Sequence, residues 1–489
     1  MPLSGLLRAA AAAGLLALAA CSAVALNEPL SPEQLAPEGA PTITDGGYRL
    51  ASMAANDGSS EMIVILALSG GGARSAALSL GIFKGLRDTT IRAGGRDRRL
   101  LDEIDIISSV SGGSMIAAYY GLHRERLFTD FERDFLRRDI NAEVYGVYLL
   151  PWNWQWLFDP DYGTNDAMQA IYDRRMYHGA TYADLQRRGR PMLLINATDI
   201  SFGTAFTFSQ DQFDVLCSDL SRLPIARAVA ASAGVPVLFT PITIANYAER
   251  CGGRRPAALE EAARADQADG DPLSRSRFVR TSIEQYTDGR RARYAHLLDG
   301  GVSDNLALRG VINGLIVLGN PAAMRARFST RTRRILLISV DGAGQIDDSW
   351  AQRRTVTGLA QILNAATGTP MNQYNFETEL LAREELGRFA QRLAEVRCGT
   401  ARTIDGHPCD DVRSYFVRLG LGQIADPGQR RRLQLTPTTL TLPKETIDEL
   451  IAVGESQVRN SAALATFRDE LAVDARTSPR RARSGAGRP

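Results

Sequence analysis

The sequence predicts an α/β fold: a doubly wound, mostly parallel sheet with helices on both faces, followed by a helical C-terminal extension. Three observations lead there. Apolar runs of strand length recur at MIVILAL (62–68), IDIISSV (104–110), PMLLINATD (191–199) and RILLISVDG (334–342), without the polar alternation of a half-exposed strand. Helix-like stretches such as ARSAALSLGIFKGL and SMIAAYYG separate them. Glycines cluster at the junctions, as SGGG at 69–72, SGG at 111–113 and DGG at 299–301. Strands alternating with helices make such a sheet, and place function at the carboxyl ends of the strands.

Taken in order, residues 1–20 read as a secretory signal. MPLSGLLR carries one positive charge at Arg8, and AAAAAGLLALAA follows as a short apolar segment ending in small residues. Its end, Leu18-Ala19-Ala20-Cys21, resembles a bacterial lipoprotein signal, in which Cys21 becomes the lipid-modified first residue of the mature chain. That implies a protein anchored in the cell envelope, and Ser22 implies transfer to the outer membrane. A plain signal peptide or an alanine-rich anchor is the alternative, since the apolar run from Ala9 to Leu26 almost reaches spanning length. Residues 21–60, rich in Pro, Gly, Ser and Ala and without a period, are expected to form a flexible tether.

A core domain is expected over 61–345, with an exposed, Arg-rich insertion at 253–293. Within it, RLPIARAVAASAGVPVLFTPI reads as a helix closing at Gly234 and Pro236. YAHLLDGGVSDNLALRGVINGL reads as a strand end and then a helix. Residues 144–158 hold Trp152, Trp154 and Trp156, either an interface-seeking aromatic lid or a buried satellite core. A C-terminal extension over 346–475 carries a strand at VRSYFVRLGL and a helix from about Pro443 to Leu471, and 476–489 is expected to be a disordered tail.

Composition excludes some classes. With 57 basic and 55 acidic residues, net charge +2, no global field draws the chain to nucleic acid. A charged fraction of 23% beside 44% hydrophobic residues excludes a wholly disordered or multispanning chain. Apart from Cys21, the cysteines are Cys217, Cys251, Cys398 and Cys409. Of the three connectivities, Cys217 with Cys251 and Cys398 with Cys409 is favoured because both loops are short. No C-x-x-C or paired-histidine spacing calls for a metal, and no cofactor is expected.

The glycine turn at 70–72 collects backbone N–H groups at a helix N-terminus, where negative charge is stabilised. A dinucleotide fingerprint fails because Ser75 stands at its third glycine, and no G-K-[ST] follows for a P-loop. An oxyanion hole remains, and it calls for a nucleophile on a neighbouring strand-to-helix turn. IDIISSVSGGS is such a turn. In a tight elbow the residues two before and two after the nucleophile are small. Ser108 would have Ile106 and Val110 there, Ser109 would have Ile107, and Ser114 would have Ile116. Only Ser111 fits, flanked by Ser109 and Gly113, with Ser109 in the first glycine's place. Asp299 ends an apolar strand before two glycines, and could serve as the partner acid or merely cap the next helix. None of His123, His178, His296 and His407 follows Asp299 in the context a Ser-Asp-His triad needs, so a Ser-Asp dyad is the simpler assignment.

The ordered set S-G-G-G-A-R at 69–74, S-V-S-G-G at 109–113, A-A-S-A-G-V-P-V-L-F-T-P-I at 230–242 and D-G-G at 299–301 resembles the patatin-like phospholipases over roughly 61–345. The resemblance implies a sheet of patatin type and hydrolysis of membrane-lipid acyl esters, as a phospholipase A or lysophospholipase. It implies Ser111 as nucleophile, Asp299 as dyad acid, and Gly70, Gly71, Gly72 and Gly112 as the oxyanion hole. Arg74 then either contacts a lipid phosphate or holds the glycine turn through an ion pair. Acyl transfer or thioester cleavage through the same acyl-enzyme is the rival enzyme reading, and a non-catalytic envelope lipoprotein is the rival outside enzymes.

Overall fold

The structure is a computed structural model and describes residues 27–40, 43–44, 46–53, 60–149, 163–236, 238–345, 349–352, 354 and 358–477. Cys21 with its signal segment, the three tryptophans at 152–156 and residues 478–489 lie outside these.

An eight-stranded sheet organises the chain. Its strands are β1 (Met62–Leu68), β2 (Ile104–Val110), β3 (Met192–Asp199), β4 (Thr204–Phe208), β5 (Ile242–Ala245), β6 (Tyr294–Asp299), β7 (Arg334–Asp341) and β8 (Arg413–Gly420). They lie in the order β8-β7-β1-β2-β3-β6-β5, with β4 also paired to β3. The five strands from β8 to β3 are mutually parallel, whereas β4, β5 and β6 run antiparallel to their neighbours. The sheet is therefore mixed and mostly parallel.

Alternate residues of the central strands serve different cores, as the strand period of two requires. Val64, Leu66 and Leu68 belong to the cluster that includes α1 (Gly72–Asp88) and α2 (Gly112–His123). Ile65 and Ala67 belong to the opposite cluster, with α6 (Arg309–Leu318) and α7 (Leu359–Cys398). Between these helices, α3 (Ile225–Ser232) packs on the first face.

The structure corrects three expectations. The described part of 21–60 is no loose tether. Glu28–Pro29 pairs with Ser218–Asp219, and the fully buried Tyr48 accepts the Leu193 N–H through its hydroxyl at 2.8 Å. Isolated side chains filling gaps leave no period to read. Likewise, 253–293 folds into α4 (Ala257–Asp269) and α5 (Arg275–Glu284), which pack on each other, and Ala262, Val279 and Tyr286 are buried. Its arginines mask the pattern because Arg277 and Arg280 pair with the buried Asp266 at 3.2 and 2.8 Å. Finally, the C-terminal region completes the sheet, since β8 pairs with β7 along its whole length and α8 (Lys444–Asn460) lies along α1. The helix expected to Leu471 is two, broken at Ser461 before α9 (Ala462–Thr477).

Both favoured disulfides form, with Cα separations of 5.7 Å for Cys217–Cys251 and 4.8 Å for Cys398–Cys409. Among the described residues no helix is long and apolar enough to cross a membrane.

Candidate active site

Two strands meet end to end along one side of β3. β2 rises parallel to β3 and ends with Val110 opposite Asn196, whereas β6 descends antiparallel and ends with Asp299 opposite Ala197. The next residue after Val110 is Ser111. Register alone thus brings the two sequence-predicted residues side by side, with the Ser111 side chain near enough to the Asp299 carboxylate to favour its charged form.

Ser111 caps α2 with φ 53° and ψ −121°, a positive φ that is uncommon outside glycine and concentrates at strained functional turns. Its carbonyl accepts the Ser114 N–H at 2.9 Å, and its own N–H donates to Ser232 Oγ at 2.9 Å. Ser109 lies in the extended strand, where a glycine's freedom is not needed. Its Oγ is 3.1 Å from Ser114 Oγ, so the substitution fits as a small buried side chain.

Asp299 is 8% exposed and accepts the Gly301 N–H at 2.8 Å. Burial pushes its carboxyl up to about 6, against the opposing bonds from Gly301 and Ser111. An ordinary carboxylate near pKa 4 would be a weak base toward a serine. This one is better matched to neutral pH. Tyr172, buried nearby, is pushed up by burial and by the Asp299 charge. No histidine bonds to either residue among those described: His123 Nε2 pairs with the Met176 carbonyl at 2.8 Å and His296 Nδ1 with Thr243 Oγ1 at 3.2 Å.

The glycine turn abuts this pair. A Cβ on Gly112 would lie 2.1 Å from the Gly72 carbonyl oxygen, so the two turns touch backbone to backbone. Gly71 and Gly72 take φ 138° and 58°, which a side chain would oppose. Among the described residues the N–H groups of Gly71, Gly72 and Gly112 have no hydrogen-bond acceptor. Gly70 is different: its N–H donates to the Asn305 carbonyl at 2.9 Å. The expectation that Gly70 supplies an oxyanion donor is corrected accordingly. A Cβ there would lie 2.5 Å from Asn305 Oδ1 and 3.4 Å from Ser111 Cβ, so Gly70 makes room instead.

Arg74 is buried and bonds to neither Ser111 nor Asp299. Its Nε donates to the Gly342 carbonyl at 2.9 Å, one terminal nitrogen donates to the Thr436 carbonyl, and the other donates to Thr438 Oγ1 at 3.2 Å. Burial lowers its pKa to about 10 against the Asp341 charge. These contacts fit a structural role for Arg74, a tie between the glycine turn and the C-terminal region, but the expected ion pair is replaced among the described residues by hydrogen bonds to two carbonyls and a hydroxyl.

The residues that sequence reasoning missed lie behind Ser111 and Asp299. Asn196 Nδ2 donates to the Ser109 carbonyl at 3.1 Å, and Thr198 Oγ1 donates to the Asp299 carbonyl at 2.9 Å. Ser232, inside the A-A-S-A-G segment, was visible only as part of a motif. A deep cavity of about 600 Å³ lies on the α6 side of the sheet, and neither Ser111 nor Asp299 lines it.

A family profile described as patatin-like phospholipase matches residues 66–312. The chain belongs to the patatin-like phospholipase family. The match spans the glycine turn, the elbow and the Asp-Gly-Gly end of β6. Among solved structures, the chain is similar to human GIVD cytosolic phospholipase A2, at TM-score 0.41 and 11% identity over 86% of this chain and 63% of that one. The same enzyme in complex with methyl gamma-linolenyl fluorophosphonate inhibitor and terbium chloride gives TM-score 0.40 and 13% identity, over 85% and 60%. The chain thus spans about six tenths of those chains' length. No curated protein matches it in sequence.

Proposed function

We propose that this protein is a serine acyl hydrolase of membrane lipids, of phospholipase A or lysophospholipase type, working through a Ser111–Asp299 dyad. The observation that carries the reading is the register that sets Ser111, next after Val110 at the end of β2, beside Asp299 at the end of β6, a buried carboxylate whose pKa is pushed up to about 6. Ser111 Oγ attacks the ester carbonyl carbon while Asp299 takes its proton. The N–H groups of Gly71, Gly72 and Gly112 receive the developing oxyanion, helped by the N-terminal ends of α1 and α2. Collapse breaks the ester C–O bond, and Asp299 returns the proton to the leaving alcohol. Water then attacks the acyl-serine, giving up a proton to Asp299, and Ser111 is restored as the fatty acid leaves.

The substrate class follows from the family. Incubation with phosphatidylcholine and lysophosphatidylcholine vesicles carrying distinct acyl chains is expected to release free fatty acid. With an added acceptor alcohol, acyl transfer to that alcohol without fatty-acid release would instead favour the acyltransferase reading. No acyl release from any ester would favour the non-catalytic one.

Lipidation at Cys21, with placement in the outer membrane or on the periplasmic face, is proposed on the signal sequence alone. Cys21→Ser is expected to move the protein from the membrane to the soluble fraction. Unchanged membrane partition would contradict the anchor.

A further inference from the structure

Ser232, the last residue of α3, is fully buried and bonds to Ser111 and to Gly300, the residue after Asp299. Its Oγ accepts the Ser111 N–H at 2.9 Å and donates to the Asn196 carbonyl at 2.6 Å. Its own carbonyl accepts the N–H of Gly300, the residue after Asp299, at 3.1 Å. Two residues on, the Gly234 carbonyl accepts the Asp299 N–H at 2.9 Å. One short segment therefore fastens the nucleophile through a side chain and the acid through the backbone.

The side-chain bond matters because of where Ser111 sits. A serine at φ 53° stays there only if its surroundings fix it. Its carbonyl is held by its own helix, whereas its N–H has Ser232 Oγ as its acceptor. A hydroxyl offers one proton and two lone pairs. The Ser232 proton goes to the Asn196 carbonyl, so its oxygen is free to accept the Ser111 N–H, with the Ser114 hydroxyl 2.9 Å away.

We infer that Ser232 is a positioning residue for the dyad: its hydroxyl holds the Ser111 backbone in the positive-φ conformation that presents Ser111 Oγ to Asp299. This rests on the reading of Ser111 and Asp299 as the catalytic pair. Ser114 supplies the control, because its side chain is equally buried, belongs to the same chain of hydroxyls and does not touch Ser111.

The test compares Ser232→Ala with Ser114→Ala on a soluble p-nitrophenyl ester. Ser232→Ala is expected to lower kcat about 10- to 100-fold with KM within about twofold, the scale of an ångström-sized misplacement at a reacting atom. The acid limb of its pH profile is expected to move above that of the wild type. The sign follows from the bond: the Ser111 donor favours the charged carboxylate, so weakening it raises the Asp299 pKa. Tyr172, the other titratable group coupled to Asp299, is held neutral by burial and does not contribute a limb there. Ser114→Ala is expected to keep kcat within about threefold and the limb in place. Equal losses in the two variants, or a Ser232→Ala loss with an unmoved limb, would overturn the inference. If Ser232→Ala does not fold, Ser232→Cys, which keeps a weak acceptor, is judged by the same two readouts. A wild type that neither turns over nor reacts with a fluorophosphonate would instead overturn the dyad itself, whereas a live wild type matched by Ser232→Ala would overturn only the role of Ser232.

Discussion

Ser111→Ala is expected to abolish ester turnover, by about 10⁴-fold or more, without unfolding the protein. The hydroxyl is the one group at the elbow positioned to form the acyl-enzyme, and its neighbours Gly112 and Gly113 leave no side chain to replace it. What the variant retains is the backbone bonding: the Ser111 N–H still reaches Ser232 Oγ, and its carbonyl still accepts from Ser114. Steady-state hydrolysis and circular dichroism on the same sample separate the two effects. Full activity in this variant would rule out the nucleophile.

Asp299→Asn is expected to cost nearly as much activity and to make the protein more stable. The amide keeps an oxygen for the Gly301 N–H but cannot accept the serine proton. The stability gain comes from burial. A carboxyl raised to about 6 in the fold, against about 4 unfolded, is costly to ionise there, by roughly 2–3 kcal/mol. The native aspartate's contribution is fully present below about pH 4, fades as pH rises through 6, and is absent above it. Asp299→Asn should therefore melt a few degrees above the wild type at pH 7.5 and level with it at pH 4. Wild-type kcat should fall on the acid side with an apparent pKa near 6, because the base must be ionised to act. A flat profile down to pH 4.5 would contradict Asp299 as the base.

Much of this site was legible in the sequence because its parts are local. The buried-type runs at 62–68 and 104–110, each followed by glycines and a helix, mark strand, turn and helix without tertiary information. Testing each serine for small flanking residues isolates Ser111, since sterics at an elbow are decided within five residues. What stayed hidden was set by distant pairing. Nothing local shows that β6 runs antiparallel to meet β2 end to end, or that the Gly70 N–H is taken by Asn305. The raised Asp299 pKa needs the burial that only the fold supplies. The region before Met62 was misread for a related reason: Asn27, Tyr48 and Arg49 act as single anchors, with Asn27 donating to Ser218 Oγ at 2.7 Å and Arg49 paired to the buried Asp214. Scattered anchors in a proline- and glycine-rich stretch look like a linker. The C-terminal strand at 413–420 was recognised as a strand, but its place beside β7 in the central sheet depends on a partner some eighty residues earlier.

The most direct test of the account is reaction of the full-length protein with a long-chain alkyl fluorophosphonate at pH 7.5, followed by peptide mass analysis. The account predicts one stoichiometric adduct on the peptide bearing Ser111, formed by the native protein, lost on denaturation before labelling and greatly slowed in Asp299→Asn. An unmodified Ser111 in the folded protein, or an adduct on Ser108, Ser109 or Ser114 instead, would contradict it.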